Sequence, residues 1–334
     1  MCDVLGLGYS SEAGPTSRKS QEGVVVDTWP SVAVVIPHYG DPSPTQALCR
    51  ELLSDSYPGP LDVVVVDDRS PEPFGPMEGV TVIRREVNGG FGAAVNTGVR
   101  SSTSDFVLVL NSDVDVPAGF VRDLVAAGHP CQPGVFGPRV STAGVTDSTA
   151  RRFPAARHLA LERVGVLARH RHRATLRRAV GLDTEAMART ASGQTWPTDW
   201  LVGIALLIPR AAYEAVGGFD ERFHMYAEEV DLQRRLSDRG VGSHLVGGVS
   251  ITHVGGASSD PARVEQWLMD SRMLYAAKWG WRRRLAWAWG GAAVINLVTA
   301  SVRRVAGRPT RPWTDFVHEK ELITHALRAS GRTP

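Results

Sequence analysis

The sequence predicts an α/β protein with a mostly parallel sheet that is covered by helices on both faces. In the first half of the chain, short runs of Val, Leu and Ile alternate with helical patterns, which is the order typical of parallel strands joined by helices. The runs contain few polar residues, which indicates strands buried on both faces. With 334 residues, the chain is long enough to enclose a sizeable core.

Four apolar runs are predicted to form central strands, at residues 32–36, 63–66, 80–83 and 106–110. Helices are predicted between them over 45–53, 92–99 and 118–127. In sheets of this kind, ligands bind beyond the carboxyl ends of the strands. The polar residues that follow the strands are therefore the candidates for a functional site.

The second half of the chain has a different pattern. It contains an apolar run at 200–208, a helical pattern around 227–239 and a strand that ends near His253. We expect a flexible tail over 1–30, a ligand-binding half over 31–140, a second half over 141–260 and a helical region over 261–334. No internal repeat is visible.

The net charge of +2 conceals two strongly basic stretches. Residues 151–178 contain nine arginines and one glutamate, and residues 261–312 contain nine arginines and one lysine against two acidic residues. The rest of the chain is acidic overall. This asymmetry predicts an anionic surface or an anionic acceptor as partner, and no nucleic acid.

The first thirty residues do not predict a secretory signal. They lack a positively charged start followed by an apolar run. The three cysteines show no CxxC spacing of the kind that zinc sites use. We therefore expect a cytoplasmic protein.

Two carboxylates follow the second predicted strand, at Asp67 and Asp68. At the ligand-binding edge of a sheet, a carboxylate can accept hydrogen bonds from a nucleobase or from ribose hydroxyls. The alternative is an aspartate that stabilises a turn or caps a helix.

A glycine-rich segment from Asn88 to Gly98 leads into the second predicted helix. Small residues let a diphosphate approach the backbone, and a helix N-terminus favours anions. The segment lacks the Gly-Lys-Ser/Thr ending of a Walker loop. Tight packing of the helix is the alternative explanation for its glycines.

The fourth predicted strand ends in Asn111-Ser112-Asp113-Val114-Asp115. A divalent cation that also binds a nucleotide diphosphate needs only one or two carboxylates from the protein. Asp113 is the preferred ligand. Asp115 either assists it or caps the next helix.

These three segments, in this order, resemble the nucleotide-binding half of family 2 glycosyltransferases, which have the GT-A fold. The resemblance implies a nucleotide-diphosphate sugar as donor and Mg²⁺ or Mn²⁺ at Asp113, with Asn111 in place of the first acid of the Asp-x-Asp motif. The donor-binding residues that it implies are Pro37, Asp67, Asp68, Asn88, Gly89, Gly90, Asn96, Asn111 and Ser112.

The second half extends the resemblance to the acidic segment Glu228-Glu229-Val230-Asp231. The family usually has Glu-Asp-x-Asp here, so Glu229 stands where an aspartate is usual. The resemblance implies an inverting transfer in which one carboxylate removes the proton of the acceptor hydroxyl. Glu229 is the preferred base, Glu228 the second choice, and Asp231 orients the helix or the base. Trp200, Gly203 and Arg152 are expected to bind the acceptor.

His253 follows the last predicted strand and opens a His-Val-Gly-Gly segment. In the family, a histidine in a similar segment can complete the metal or diphosphate site. The alternative is a purely structural histidine.

Residues 285–302 contain no charge and are flanked by arginines on both sides. A spanning helix needs about 20 apolar residues, and this stretch includes several small and polar ones. Trp279, Trp281, Trp287 and Trp289 suit the headgroup zone, which favours a helix lying on an anionic membrane surface. A spanning helix and a core helix remain the alternatives.

Peripheral attachment to the inner face of the cell membrane implies a lipid-linked, polyprenyl diphosphate saccharide as acceptor. The basic segment over 151–178 is a candidate to contact its diphosphate. Together with the Arg151-Arg152-Phe153-Pro154 motif, these features most resemble bacterial rhamnosyltransferases of cell-wall and polysaccharide assembly. The resemblance implies L-rhamnose from dTDP-rhamnose, with UDP- or GDP-linked sugars as alternatives.

Two hypotheses from other classes are weaker. A sugar-1-phosphate nucleotidyltransferase would have a glycine-rich loop with Arg and Lys after the first strand, whereas this chain has Pro37-His38-Tyr39-Gly40. A non-catalytic membrane adaptor would not need the acids at Asp68, Asp113 and Glu229.

Overall fold

The structure, a computed structural model, describes residues 28–254 and 261–331. Nearly all of the tail predicted over 1–30 lies outside the described residues, as does the segment that follows Val254.

Twelve strands are present in the described ranges. They are β1 Val32–His38, β2 Leu61–Asp67, β3 Val80–Arg84, β4 Phe106–Leu110, β5 Val114–Asp115, β6 Gly134–Thr142, β7 Val145–Thr146, β8 Ala150–Arg151, β9 Thr195–Thr198, β10 Trp200–Leu201, β11 Ala205–Pro209 and β12 Gly242–His253.

Eleven α-helices accompany these strands in the same ranges. They are α1 Pro42–Leu53, α2 Phe91–Arg100, α3 Phe120–Gly128, α4 Ala156–Arg163, α5 Ala174–Ala179, α6 Thr184–Thr190, α7 Arg210–Ala215, α8 Glu228–Ser237, α9 Pro261–Lys278, α10 Arg282–Val305 and α11 Pro312–Ala329. Short 3-10 helices lie at His129–Cys131 and Gly165–His170.

One sheet organises the molecule. Its strand order is β3-β2-β1-β4-β11-β6-β12-β5, with β7 beside β6 and β9 beside β12. The strands β3, β2, β1 and β4 run parallel, as do β6 and β12, whereas β11 joins β4 and β6 antiparallel. The predicted α/β class with a mostly parallel central sheet is confirmed.

Side chains of the central strands alternate between two cores, one on each face of the sheet. On β1, Val34 and Ile36 belong to the first core and Val35 to the second. Leu48 of α1 and Leu124 of α3 cover the first core. The helices α2 and α8 cover the other. Burial on both faces explains the unbroken apolar runs within these strands.

One expectation about the strands was wrong. The strand β3 was predicted to be central but lies at the sheet edge, and its residues are exposed or only partly buried. It pairs with β2 on one side only. The apolar run at 200–208 is divided into β10 and β11 by a short loop that contains Gly203.

The C-terminal helices form a separate layer with a small core of its own. The helices α4, α9, α10 and α11 contribute Leu159, Met273, Trp289 and Ile323 to this core. Lys278 at the end of α9 donates to Asp220 and to Asp231 of α8, with 2.7 Å between Nζ and Oδ2 in each pair. This pairing fixes the layer against the start of α8.

Only one face of α10 is covered by this layer. The opposite face exposes an apolar row, here named the α10 stripe: Trp287, Val294, Ile295, Val298 and Val302. Among the described helices, α10 is the one long and apolar enough to cross a membrane by length and composition, and 22% of its most apolar window is buried.

The four tryptophans predicted to lie in the headgroup zone are not equivalent. Trp289 is fully buried, and its indole N–H donates to the Leu159 carbonyl at 3.3 Å. Trp279 and Trp281 pack against the ring of Tyr275. Of the four, only Trp287 is well exposed, at 83%. The prediction was therefore wrong for Trp289, because its ring is part of the core of the C-terminal helices.

Candidate active site

Asp67 ends β2 and is fully buried. Burial tends to raise the pKa of its carboxyl group, but hydrogen bonds from the Ser70 and Phe74 amides and from Arg84 outweigh it and lower the pKa. An ionised carboxylate whose two oxygens both accept hydrogen bonds from the following residues and from Arg84 stabilises the turn after the strand. The alternative role that the sequence left open for Asp67, as a turn residue, is the one seen here.

Asp68 connects the end of β2 to the glycine-rich segment. Its carboxylate accepts hydrogen bonds from the Gly89 amide at 3.1 Å and the Gly90 amide at 2.7 Å, and it pairs with Arg85. It is 5% exposed. Asp68 therefore shapes the turn that precedes α2, beside the exposed Asn88.

The glycines of this segment are required for packing. A β-carbon on Gly90, whose φ is +86°, would lie 1.7 Å from the His224 carbonyl oxygen. One on Gly92 would lie 2.9 Å from the β-carbon of Phe219, and one on Gly98 would lie 2.4 Å from Val35. The segment thus packs closely against the loop before α8, which joins the two halves of the site.

Asn96 does not face the open edge of the sheet. Its amide oxygen accepts from the Phe219 amide at 3.0 Å and from the Tyr213 hydroxyl. Its amide nitrogen donates to the Phe219 carbonyl and to Glu221, both at 2.9 Å. The side chain is 8% exposed. The sequence predicted that Asn96 contacts the donor. The structure shows instead that Asn96 holds the loop that precedes α8.

Asp113 and His253 lie together although 140 residues separate them in sequence. The distance from His253 Nε2 to Asp113 Oδ1 is 3.2 Å, and both side chains are partly exposed. The hydrogen bond between them lowers the pKa of Asp113 and raises that of His253. A carboxylate beside an imidazole at an accessible strand end suits a divalent cation whose other ligands come from a diphosphate.

Asp115 is separate from this pair. It lies in β5, opposite Thr252 of β12, and is exposed. It does not cap α3, because Gly119 holds that position. In the described part of the chain, no group of three or more His, Cys, Asp and Glu side chains could hold a metal ion. The metal-binding role expected for Asp115 stays a prediction.

The loop after β10 connects the metal motif to the acidic helix. The Asn111 amide donates to the Ile204 carbonyl at 2.9 Å. A β-carbon on the preceding residue, Gly203, would lie 3.2 Å from the β-carbon of Glu229. Asn111 and Ser112 are partly buried at the start of this connection. The strand end that carries Asp113 is thus one short loop away from Glu229.

A strained turn sets the direction of Glu228 and Glu229. Tyr226 and Ala227 immediately before them have φ values of +68° and +65°. Each left-handed residue costs about 1–2 kcal/mol when it is not glycine. Gln233 holds the following helix in place with hydrogen bonds to both backbone groups of Leu201, at 2.8 and 2.7 Å.

Glu228 and Glu229 are adjacent carboxylates in a poorly solvated place. The Oε2 atom of each is inaccessible to water and has no hydrogen-bond partner in the structure. Burial raises the pKa of both groups, and the Glu229 charge raises that of Glu228 further. The Arg151 cation opposes the shift at Glu229. Glu229 is therefore the group of the pair that ionises more readily.

Asp231 has a structural role. It is fully buried and accepts hydrogen bonds from Arg235 at 2.8 Å, Lys278 at 2.7 Å and the Trp279 indole at 3.2 Å. Its carboxylate oxygens are occupied by these donors. Of the alternatives left open by the sequence, the geometry supports an orienting role for the helix.

A cavity of about 180 Å³ opens beside Glu229. Trp200 and Arg152, two of the expected acceptor residues, line it together with Arg151. The guanidinium carbon of Arg151 lies 5.8 Å from the centre of the Trp200 ring. The other titratable side chains around the cavity are His158, Glu162, Tyr226, Arg272 and Tyr275.

Comparison with known proteins identifies the family. The sequence model for "Glycosyl transferase family 2" matches residues 33–180. An N-acetylglucosaminyltransferase of Bradyrhizobium elkanii is 31% identical over 131 residues, which are 35% of this chain and 70% of the relative. The chain belongs to glycosyltransferase family 2.

Two further proteins resemble this glycosyltransferase over most of its length. An N-acetylglucosaminyl-diphospho-decaprenol L-rhamnosyltransferase of Mycobacterium tuberculosis is 28% identical over 84% of this chain and 96% of the relative. A mannosyltransferase from Pyrobaculum calidifontis, solved with GDP-Man and Mn²⁺, has 15% identity and a TM-score of 0.55 over 92% of this chain and 90% of that one. The second similarity shows a shared fold and confirms the predicted GT-A-like architecture.

The structure of the glycosyltransferase reveals site residues that the sequence did not indicate. Arg272 of α9 and Glu162 of α4 line the cavity beside Glu229 and pair with each other at 2.7 Å. Tyr226 is a third. Arg272 is far from every motif in sequence, and no spacing rule connects it to the site. Only the packing of the C-terminal helices brings it there.

Proposed function

We propose that the protein is a metal-dependent, inverting glycosyltransferase that moves a sugar from a nucleotide-diphosphate donor to a saccharide acceptor. One observation carries the proposal. The loop around Gly203 and Ile204 links the Asp113 strand end to Glu229, so a donor site and a basic carboxylate adjoin one another. The cavity that Trp200 lines also opens beside Glu229.

In the proposed reaction, Glu229 accepts the proton of an acceptor hydroxyl. That oxygen forms a bond to the anomeric carbon on the face opposite the leaving group. The bond between the anomeric carbon and the diphosphate oxygen breaks, and the nucleoside diphosphate leaves with the electron pair. A single displacement of this kind inverts the anomeric centre.

Asp113 and His253 would hold the divalent ion, Mg²⁺ or Mn²⁺. When bound, such an ion stabilises the charge that grows on the departing diphosphate. Pro37, Asp68, Asn88 and Gly89 are proposed to border the donor along the same sheet edge, since they lie at or beyond the carboxyl ends of β1, β2 and β3.

For the substrates, we propose L-rhamnose from dTDP-rhamnose and a polyprenyl diphosphate saccharide as acceptor. The similarity to the mycobacterial L-rhamnosyltransferase supports both choices, because it extends over 96% of that protein. UDP- and GDP-linked sugars are the alternative donors.

We also propose that the protein lies on the inner face of the cell membrane through the α10 stripe. The stripe is flanked by Arg282, Arg283 and Arg284 before it and Arg303 and Arg304 after it. Apolar side chains between arginines suit the boundary of an anionic bilayer. The opposite face of α10 packs on its own layer, which favours a helix lying on the surface over one spanning it.

Replacing the preferred base tests the role of Glu229. We expect Glu229→Gln to lower kcat at least about 100-fold, since general base catalysis contributes at least that factor. Glu185→Gln, at an exposed glutamate that does not line the cavity, serves as the matched control. Unchanged turnover in Glu229→Gln would show that another group removes the proton.

The pH dependence gives an independent check on the same residue. Because burial raises the pKa of Glu229, kcat should fall with decreasing pH starting above the range of an ordinary glutamate. Arg151→Met removes a cation that favours the ionised form, so the acidic limb should move further toward neutral pH. If the acidic limb of the kcat profile does not move in Arg151→Met, Glu229 is not the titrating group.

Removing Asp113 tests the metal site. We expect Asp113→Ala to reduce release of nucleoside diphosphate from dTDP-, UDP- or GDP-sugars at least about 100-fold, and EDTA to do the same to the wild type. Asp123→Ala, at an exposed aspartate of α3, is the matched control and should leave the release unchanged. Turnover that survives both EDTA and Asp113→Ala would refute metal dependence.

Binding to lipid vesicles tests the membrane surface. The wild type should bind phosphatidylglycerol vesicles, more weakly at high salt because arginines contribute. Val298→Glu should lower the affinity about 10-fold, since it removes an apolar contact and adds repulsion. Val145→Glu, at a valine on β7 that is also exposed, should have no effect. Equal losses in both variants would exclude the α10 stripe as the contact.

A further inference from the structure

The cavity beside Glu229 has a cationic end that the transfer step does not use. Its floor is α4, which contributes Glu162, and one wall is α9, which contributes Arg272. Arg151 enters from β8. These three charges face each other at the end of the cavity that lies between the sheet and the C-terminal helices.

The two guanidinium groups of the cationic end share one carboxylate within ion-pairing distance, Glu162, while the Glu229 charge acts on Arg151 from farther away. Glu162 pairs with Arg272 at 2.7 Å and more loosely with Arg151 at 3.8 Å. The Nε atom of Arg151 is inaccessible to water and has no hydrogen-bond partner in the structure. A buried donor without a partner is costly unless a ligand supplies an acceptor.

Arg152 differs from these two arginines. Its guanidinium pairs with Asp183 at 3.1 Å and with Asp199 at 3.3 Å, so two carboxylates neutralise it. The Trp200 indole N–H donates to its carbonyl at 3.0 Å. Arg152 therefore holds the Trp200 platform, and the cations that share Glu162 are Arg151 and Arg272.

The remainder of the cavity is suited to a sugar ring. Trp200 offers an aromatic face, and Leu159, Val230 and Leu268 supply apolar surface around it. Neither Asp113 nor His253 lines this space. The diphosphate of the donor, which belongs at those two residues, is thus not the group that the cationic end would receive.

We propose that Arg151 and Arg272 bind a phosphate group of the acceptor, with its saccharide against Trp200 and its reacting hydroxyl at Glu229. This inference rests on the proposed function and deepens it by naming the recognised group. Guanidinium groups bind phosphate oxygens through paired hydrogen bonds. In the free protein, Glu162 occupies the same donors and acts as a placeholder for the phosphate.

The location of this site suits an acceptor that is anchored in a membrane. The helix α4 packs directly on α10, where Asn296 donates to the Arg163 carbonyl at 2.9 Å. Neighbouring helix axes lie about 8–10 Å apart. The helices α4 and α10 therefore connect the cationic end with the α10 stripe.

Two acceptor probes distinguish phosphate recognition from recognition of the sugar alone. One is N-acetylglucosamine joined through a diphosphate to a ten-carbon prenyl chain, and the other is an octyl N-acetylglucosaminide without phosphate. We expect Arg272→Gln to raise KM for the first about 10-fold or more. The KM for the second, the KM for the donor and kcat should change little. Arg328→Gln, an exposed arginine on α11, is the matched control.

Glu162→Gln provides a test with the opposite sign. Removing the placeholder carboxylate should free Arg272 and lower KM for the diphosphate probe by about threefold or more, with no gain for the octyl glycoside. A folding defect cannot produce such a gain, so this variant keeps the test decisive if Arg272→Gln proves unstable.

The outcomes separate this inference from the proposed function. If the wild type transfers sugar but Arg272→Gln raises KM equally for both probes, or raises the KM of the donor, phosphate recognition by Arg272 is refuted. If the wild type transfers to neither probe, binding of inorganic pyrophosphate in EDTA is measured by tryptophan fluorescence. Binding that Arg272→Gln weakens and Glu162→Gln strengthens would support the anion site, and identical binding in all three proteins would overturn it.

Discussion

The burial of Glu228 and Glu229 at the start of α8 is the constraint on which the site depends. Two adjacent carboxylates in a poorly solvated place are unfavourable, and the strained turn at Tyr226 and Ala227 adds to the cost. The surrounding structure offsets both of these unfavourable contributions. Asp231, locked to Lys278 and Arg235, fixes the next turn of the helix. The strain and the desolvation are thus located where the proposed proton transfer takes place.

The donor half of the fold was largely predictable from the sequence. Its strands β1, β2 and β4 are buried on both faces, so their apolar runs report burial, and the polar residues at their ends mark the ligand edge, whereas β3 lies at the sheet edge and is only partly buried. The functional meaning of individual polar residues was less visible. Asp67 and Asn96 are conspicuous in the motifs, yet both are saturated by protein groups. A sequence shows that a polar group is present, but not whether another part of the chain already satisfies it.

The acceptor side was less predictable because long-range packing builds it. Arg272 reaches the cavity only because α9 packs on α8 through Lys278. The tryptophans of the C-terminal region illustrate the same limit. Trp287 and Trp289 are two residues apart, but one is exposed and the other fully buried. Composition predicted a membrane-facing helix, whereas only the helix packing shows which face is free. The helix α4 lines the cavity and packs on α10, the helix that carries the free face, which connects the proposed acceptor site with the proposed membrane surface.

The stereochemical course of the transfer shows whether the sugar is moved by one displacement or by two. NMR spectroscopy of the first product formed from an anomerically pure nucleotide sugar gives the configuration at the transferred carbon. A single displacement assisted by Glu229 predicts inversion relative to the donor in every product molecule. Retention of configuration would contradict the account, because it requires a second displacement or a front-face path that one basic carboxylate does not provide.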